Sequence, residues 1–241
     1  MAYIPSPIEQ QPVDPPALHI PDGFLSGEIS VVGYIVTGIV LAIALRQASQ
    51  RMGEKAAPLM GVLAAFIFAA QMINFPVAGG TSGHLLGGTL AAILLGPWAA
   101  IIVMTSVVSV QALVFQDGGL AVLGVNIFNM GIVTAFVGYA IYRTVDKLMP
   151  GRPTLRLAGA FAGAWVSVMV AAALTSVQLA ISDTSPLDVA LPAMLGVHAL
   201  IGIGEGLITV AAIALVLSSR PDLVEGYDEE EGMVATAGAS A

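Results

Sequence analysis

Gln71 to Gly88 reads QMINFPVAGGTSGHLLGG, a non-helical interruption between two apolar runs that carries His84, one of three histidines in the 241-residue chain. The runs on either side belong to a chain that is 57% hydrophobic and 10% charged. Soluble domains carry about 25% charged residues. With a mean hydropathy of +0.90, the chain is an integral membrane protein. Irregular backbone is tolerated in a bilayer only where protein or a water-filled cavity satisfies its polar groups. A Gly-rich loop at the mouth of a helical bundle is therefore expected to serve a small solute, with His84 in an exposed loop.

Outward from this loop, the apolar periodicity predicts an all-α, polytopic fold with about seven transmembrane or membrane-embedded helices. Helix 1 is expected over Ile29 to Leu45 and helix 2 over Pro58 to Phe75. The segment His84 to Leu95 is apolar but too short to span a bilayer, and Gly96-Pro97 ends it. Helix 4 is expected over Trp98 to Phe115, stopped by the Gly-rich turn QDGGLAVLG, and helix 5 over Asn126 to Tyr142. Helices 6 and 7 follow over Leu157 to Ile181 and Ala193 to Leu217, joined by the loop SDTSPLDVALP.

The eight basic residues orient these segments. Arg46, Arg51 and Lys55 follow helix 1; Arg143, Lys147, Arg152 and Arg156 follow helix 5; Arg220 follows helix 7. Lys and Arg accumulate in cytoplasmic loops, so the amino terminus is expected outside and the carboxyl terminus inside. Three regions are expected: an extended Pro-rich external arm over 1–17, a membrane helical domain over 18–220, and an acidic cytoplasmic tail over 221–241. The net charge of −8 owes much to the run Asp222 to Glu231, which reads as a solvated tail. The arm has no apolar signal-peptide core.

His19, before helix 1, and His84 both fall on the expected external side. His198 falls about one and a half turns into helix 7 from the same side, and Glu205, seven residues on, lies two turns deeper on nearly the same face. A charged residue inside a span is by default a functional candidate. The absence of cysteine excludes thiolate ligands. Imidazoles suit nickel, cobalt, copper and zinc, so a late first-row divalent metal is the leading ligand. Gln71, Asn74, Asn126 and Asn129 serve either as second donors around a ligand or as interhelical hydrogen bonds. Met72 and Met130 offer thioethers or plain packing.

Four stretches, HIPDGFLS from His19, QMINFPVAGGTSGHLLGG from Gln71, QALVFQDGGLAVLGVNIFNMG from Gln111 and HALIGIGEGLIT from His198, resemble the CbiM/NikM family. These are substrate-binding membrane subunits of energy-coupling-factor transporters for cobalt and nickel. The resemblance covers nearly everything from His19 to about Ser218. It implies a non-catalytic, seven-helix subunit that captures Co²⁺ or Ni²⁺ as transported substrate and holds no organic cofactor. Cobalt comes first because the family commonly feeds cobalamin synthesis. The implied partners are a coupling transmembrane subunit, cytoplasmic ATPase subunits and a small accessory membrane subunit, with no nucleic acid. No G-x-x-x-x-G-K-[ST] phosphate loop occurs in the chain.

By the same resemblance, the metal site takes a free terminal amine before a histidine, that histidine's amide and imidazole, and a second histidine in the Gly-rich loop. His19 and His84 match the two histidines. Leu18 stands where an initiating Met is expected, with seventeen residues before it, so the Leu18 nitrogen serves as the amine only if the arm is cleaved. Otherwise a different donor completes the set, with His198, Glu205 and Asn74 as secondary candidates. A reading from another class keeps His198 and Glu205 as the relay of a self-sufficient ion-coupled carrier or channel.

Overall fold

In the computed structural model of the chain, residues 19–51, 56–76 and 82–224 are described. The proposed arm 1–17, Leu18, loop residues 77–81 and positions 225–241 of the acidic tail lie outside them. Helix α1 covers Gly27–Arg51, α2 Ala56–Gln71, α3 Gly88–Leu95 and α4 Pro97–Val114. Helix α5 runs over Leu123–Leu148 and contains a π-helical turn at Phe128–Val133. Helix α6 covers Pro153–Ile181 and α7 Leu187–Ser219. Five helices, α1, α4, α5, α6 and α7, are long and apolar enough to cross a membrane. Helix α1 shows why: Val31, Val32, Ile35, Ile39 and Ile43 are exposed apolar residues, a surface suited to lipid rather than water.

The loop that opens the sequence holds a short antiparallel ribbon. Strand β1 (Asn74–Pro76) pairs with β2 (Ser82–His84), placing Asn74 opposite His84. Helix 2 therefore ends at Gln71 rather than at Phe75, because Asn74 to Pro76 is spent on pairing. The third helix is short but starts four residues later than the apolar segment from His84: α3 has eight residues, Gly88–Leu95, about 12 Å of rise, and Gly88 to Leu94 are all buried. Its amino terminus is thereby held inside the bundle.

Further helix starts differ from the sequence reading, α6 beginning at Pro153 rather than Leu157. Helix α5 begins at Leu123 and continues to Leu148, and α7 begins at Leu187 with Pro192 inside it. A proline read as a boundary is tolerated this near the start because it removes only one early hydrogen bond. Ala190 and Met194, both buried, anchor the first turns. His198 consequently lies about three turns into α7, not one and a half. At the far end, Pro221–Leu223 forms a 3-10 turn and Val224 is buried in one apolar cluster with Leu63, Leu90 and Ile213.

One end of the bundle gathers the segment before α1, the 115–122 turn and the α6–α7 turn. Ser26 N donates to Ser182 Oγ at 3.0 Å, and Thr184 Oγ1 donates to Phe24 O. The Asp22 carboxylate accepts from Leu120 N and Ala121 N at 3.1 and 2.8 Å. Basic residues mark the opposite end, where Arg143 and Arg156 both bond Asp146.

Candidate metal site

His19 is placed by the residue after it and by a glycine across from it. Asn126, on the first turn of α5, accepts from Ile20 N at 3.2 Å and donates to Ile20 O at 3.0 Å, while Gly119 N donates to Ile20 O at 2.9 Å. Gly118 has φ +92°, and a Cβ there would lie 2.7 Å from His19 Cβ. The Gly-rich turn is thus what lets the chain close over the imidazole.

All three histidines share one arrangement. His19 Nδ1 donates to Asp117 O at 3.0 Å, His84 Nδ1 to Leu85 O at 2.8 Å, and His198 Nδ1 to Met194 O at 2.7 Å. A carbonyl only accepts, so each ring carries its proton on Nδ1 and keeps the lone pair on Nε2. Backbone-oriented imidazoles of this kind are the usual form of metal-ligating histidine. His19 Nε2 is buried with no hydrogen-bond partner among the described residues.

The His19 and His84 rings meet edge to face with centroids 4.9 Å apart and planes at 84°. Both residues are buried, at 3% and 4% exposure, so His84 is not in an exposed loop as the sequence implied. Its neighbours Leu85 and Leu86 fold in with it. Burial draws the His19 imidazole down to about 4. Burial, and next the nearness of His19, draws His84 down to about 3. Both rings are neutral at physiological pH. The Asp117 carboxylate, 3.8 Å from His19 Nδ1, accordingly faces an uncharged ring.

A cavity of about 40 Å³ is lined by His19, His84, His198, Asn129, Met130 and Met194, among others. The three expected histidines do share it, but no group of three His, Asp or Glu side chains gathers as a ligand cluster among the described residues. Asn129 is engaged with its neighbours: it donates to Gln178 Oε1 at 2.7 Å and Thr175 Oγ1 at 3.2 Å, and accepts from Gln178 Nε2 at 3.0 Å. The π turn sets Asn129 and Met130 toward the cavity. Met72 is 44% exposed and Asn74 is not among the described lining residues. Glu205 stands apart from the cavity and accepts from Leu86 N at 2.9 Å and Gly87 N at 2.6 Å. Sequence reasoning missed Asp117, Thr175, Gln178 and Met194; only Asp117 had a local signal, in the QDGG turn.

The fold is shared with known transport proteins. A crystal structure described as a truncated transition metal transporter superposes with a TM-score of 0.78 at 35% identity, covering 83% of this chain and 98% of that one. A chain of Archaeoglobus fulgidus that bears the name NikMN, for fused nickel transport, is 42% identical over 210 residues, 86% of this chain and 68% of its own length. A cobalt transport protein CbiM of Acetohalobium arabaticum is 30% identical over 218 residues, 83% of this chain and 82% of its own. The family described as the cobalt uptake substrate-specific transmembrane region, CbiM, matches residues 19–223. A multi-pass membrane bundle that closes over a pair of neutral histidines, with these relatives, identifies the chain as a member of the CbiM family of cobalt and nickel transport proteins.

Proposed function

We propose that this chain is the substrate-capture subunit of an ATP-driven, energy-coupling-factor importer for Co²⁺ first and Ni²⁺ second, feeding cobalamin synthesis. The observation that carries the reading is the contact between His19 and His84. An ion bound to one nitrogen of each ring stands roughly 3.2 Å from each ring centre, taking about 2.1 Å for the metal–nitrogen bond. Centres 4.9 Å apart then subtend about 100° at the ion. That angle suits neighbouring ligands of a square-planar or tetrahedral set. The family's description as a cobalt uptake region supports cobalt as the first choice, and the name of the 42% identical relative supports nickel as the second.

In this reading all seven helices are embedded, with the histidine-bearing end outside and the basic and acidic carboxyl-terminal end inside. The chain itself catalyses no reaction. Its motor comprises a coupling transmembrane subunit and cytoplasmic ATPases, with a small accessory membrane subunit; the fused NikMN relative is a precedent for joined transport components. A self-sufficient carrier using His198 and Glu205 is less well supported, because both Glu205 oxygens are taken by backbone amides.

The donors beyond the two imidazoles depend on the arm. A chelate through the His19 amide closes a six-membered ring only with Nδ1, which here faces Asp117 O. Cleavage at Leu18 would have to turn that ring, whereas retention of the arm leaves Nε2 of both histidines as the ligating atoms. Metal content of the purified subunit after incubation with Co²⁺ or Ni²⁺, compared with His84→Ala and His84→Gln, tests the assignment. Equal content in folded wild type and variants would refute it.

A further inference from the structure

The segment that carries His84 descends beside α7 and is tied to it at two levels. At the upper level Gly83 faces His198, since a Cβ on Gly83 would lie 3.2 Å from His198 Cε1. At the lower level, seven residues along α7 and about 10 Å deeper, the Glu205 carboxylate takes both amides of the turn that leads into α3. From the other side Gln71 Nε2 donates to Leu86 O at 2.7 Å. Leu86 thus has its N–H and its C=O both held by side chains of other helices, two residues from His84.

The need for this clamp lies in the sequence of the turn. Gly87, at φ +83°, occupies the cap position of α3 and provides no side-chain cap. Leu85, Leu86 and Gly88 likewise carry no acceptor. The first N–H groups of a helix have no partner within it, and inside a bundle water does not replace one. The acceptor instead comes from 118 residues away, a carboxyl group set at the amino-terminal end of a helix. A serine or aspartate at position 87 is no substitute: a Cβ there would lie 2.8 Å from Ile67 at a φ of +83°, and a cap side chain reaches the amides of the first helical turn, not those of Leu86 and Gly87. Supplying the cap from α7 makes the backbone that carries His84 depend on where α7 stands.

We infer that Glu205 is a positioning residue for His84: by clamping the Leu86 and Gly87 amides it fixes the direction of His84 Nε2 and links the metal-binding loop to α7. The inference rests on the reading of His84 as a metal ligand. Loss of the clamp frees the turn, so the imidazole no longer meets the ion in a single geometry. Outer partners of metal ligands typically change affinity by about 10- to 100-fold when removed. Gln71 acts in the same sense with one bond instead of two.

The test uses the full chain purified in detergent, with Ni²⁺ alone as the probe. Glu205→Gln keeps the shape but turns an N–H₂ toward one of the two amides. It is expected to weaken Ni²⁺ binding about 10- to 100-fold and to shift the visible absorption bands of the bound ion, with Glu205→Asp recovering part of the loss. In a His84→Gln background, Glu205→Gln is expected to add no further loss, because the residue acts through His84. Wild-type affinity and bands in folded Glu205→Gln would overturn the inference and leave Glu205 a plain helix cap. The same fold loss with and without His84 would overturn it too. Should Glu205→Gln fail to fold, Glu205→Asp and Gln71→Met carry the same comparison. Failure of the wild type to bind Ni²⁺, or wild-type binding by His84→Gln, overturns the ligand assignment itself and the inference with it.

Discussion

His19 stands edge-on to His84 with ring centres 4.9 Å apart, although 65 residues separate them in the chain. Each ring has its Nδ1 proton committed to a backbone carbonyl, so the pair is set to offer lone pairs rather than protons. Removing either ring should therefore remove an ion and not merely weaken a fold. His84→Ala and His19→Ala are expected to lower Ni²⁺ and Co²⁺ affinity by more than about 100-fold, beyond the range for losing an outer partner. His198→Ala should cost less than about 10-fold. Isothermal titration of folded variants checks the ranking, and a larger loss in His198→Ala than in His84→Ala would reverse it.

Acid should destabilise the metal-free protein through these rings. Their pKa values in the fold, about 4 for His19 and about 3 for His84, lie below the ordinary 6.5. The unfolded chain then binds more protons than the fold between those values, and stability rises with pH there. The contribution is complete above pH 6.5 and is lost as pH falls from 6.5 toward 4. Melting temperatures from pH 7.5 to 4.5 should show this slope in wild type and a shallower one in His19→Gln/His84→Gln. An unchanged slope in the double variant would assign the effect to other groups.

Gly118 should be intolerant of a side chain. Its φ of +92° and the 2.7 Å approach that a Cβ would make to His19 Cβ act together, and a non-glycine residue held in such a conformation costs about 1–3 kcal/mol. Gly118→Ala is expected to lower the melting temperature and, by displacing His19, to weaken metal binding. Gly27→Ala, where a Cβ meets nothing within 4 Å, is the control. Equal effects of the two substitutions would count against the packing argument.

Expressed without partners, the subunit should bind metal yet show little sustained uptake, because it carries no phosphate loop of its own. Uptake of ⁵⁷Co²⁺ or ⁶³Ni²⁺ into vesicles measures this directly. Accumulation driven by a proton gradient without any ATPase, and lost in Glu205→Gln, would favour the ion-coupled carrier instead.

Intact mass of the membrane-extracted protein decides the donor set at the amino terminus. A full-length mass with tightly bound metal supports coordination through Nε2 of His19 and His84. A mass beginning at position 18 supports the amine-and-amide chelate. Leucine there marks cleavage; methionine there marks initiation at that codon. The amide chelate also releases an amide proton on binding, so its affinity should fall steeply below neutral pH, whereas two imidazoles with pKa values of about 4 and 3 impose little proton competition above pH 5.

Much of the architecture was legible locally. Composition decided the membrane class. The apolar runs located the long helices to within a few residues at most ends, and the length from His84 to Leu95 marked that segment as too short to span, although its helix begins only at Gly88. These depend on solvent preference and hydrogen bonding over a few neighbours, which sequence displays directly. The ribbon from Asn74 to His84 was hidden, because three-residue strands leave no periodic signal, and α7 began earlier than Pro192 implied because Ala190 and Met194 pack below it.

The site divides along the same line. The sequence determined that His19, His84 and His198 are the only imidazoles available, that no thiolate is present, and that one carboxylate sits deep in the last helix. Tertiary structure decided what each does: His19 against Asp117 across 98 residues, Ile20 held by Asn126 across 106, and Glu205 on the Gly87 amide across 118. Such partners meet only when the bundle closes. The carboxylate that looked like a relay is, by position, the acceptor for two amides that a bilayer would otherwise leave unpaired.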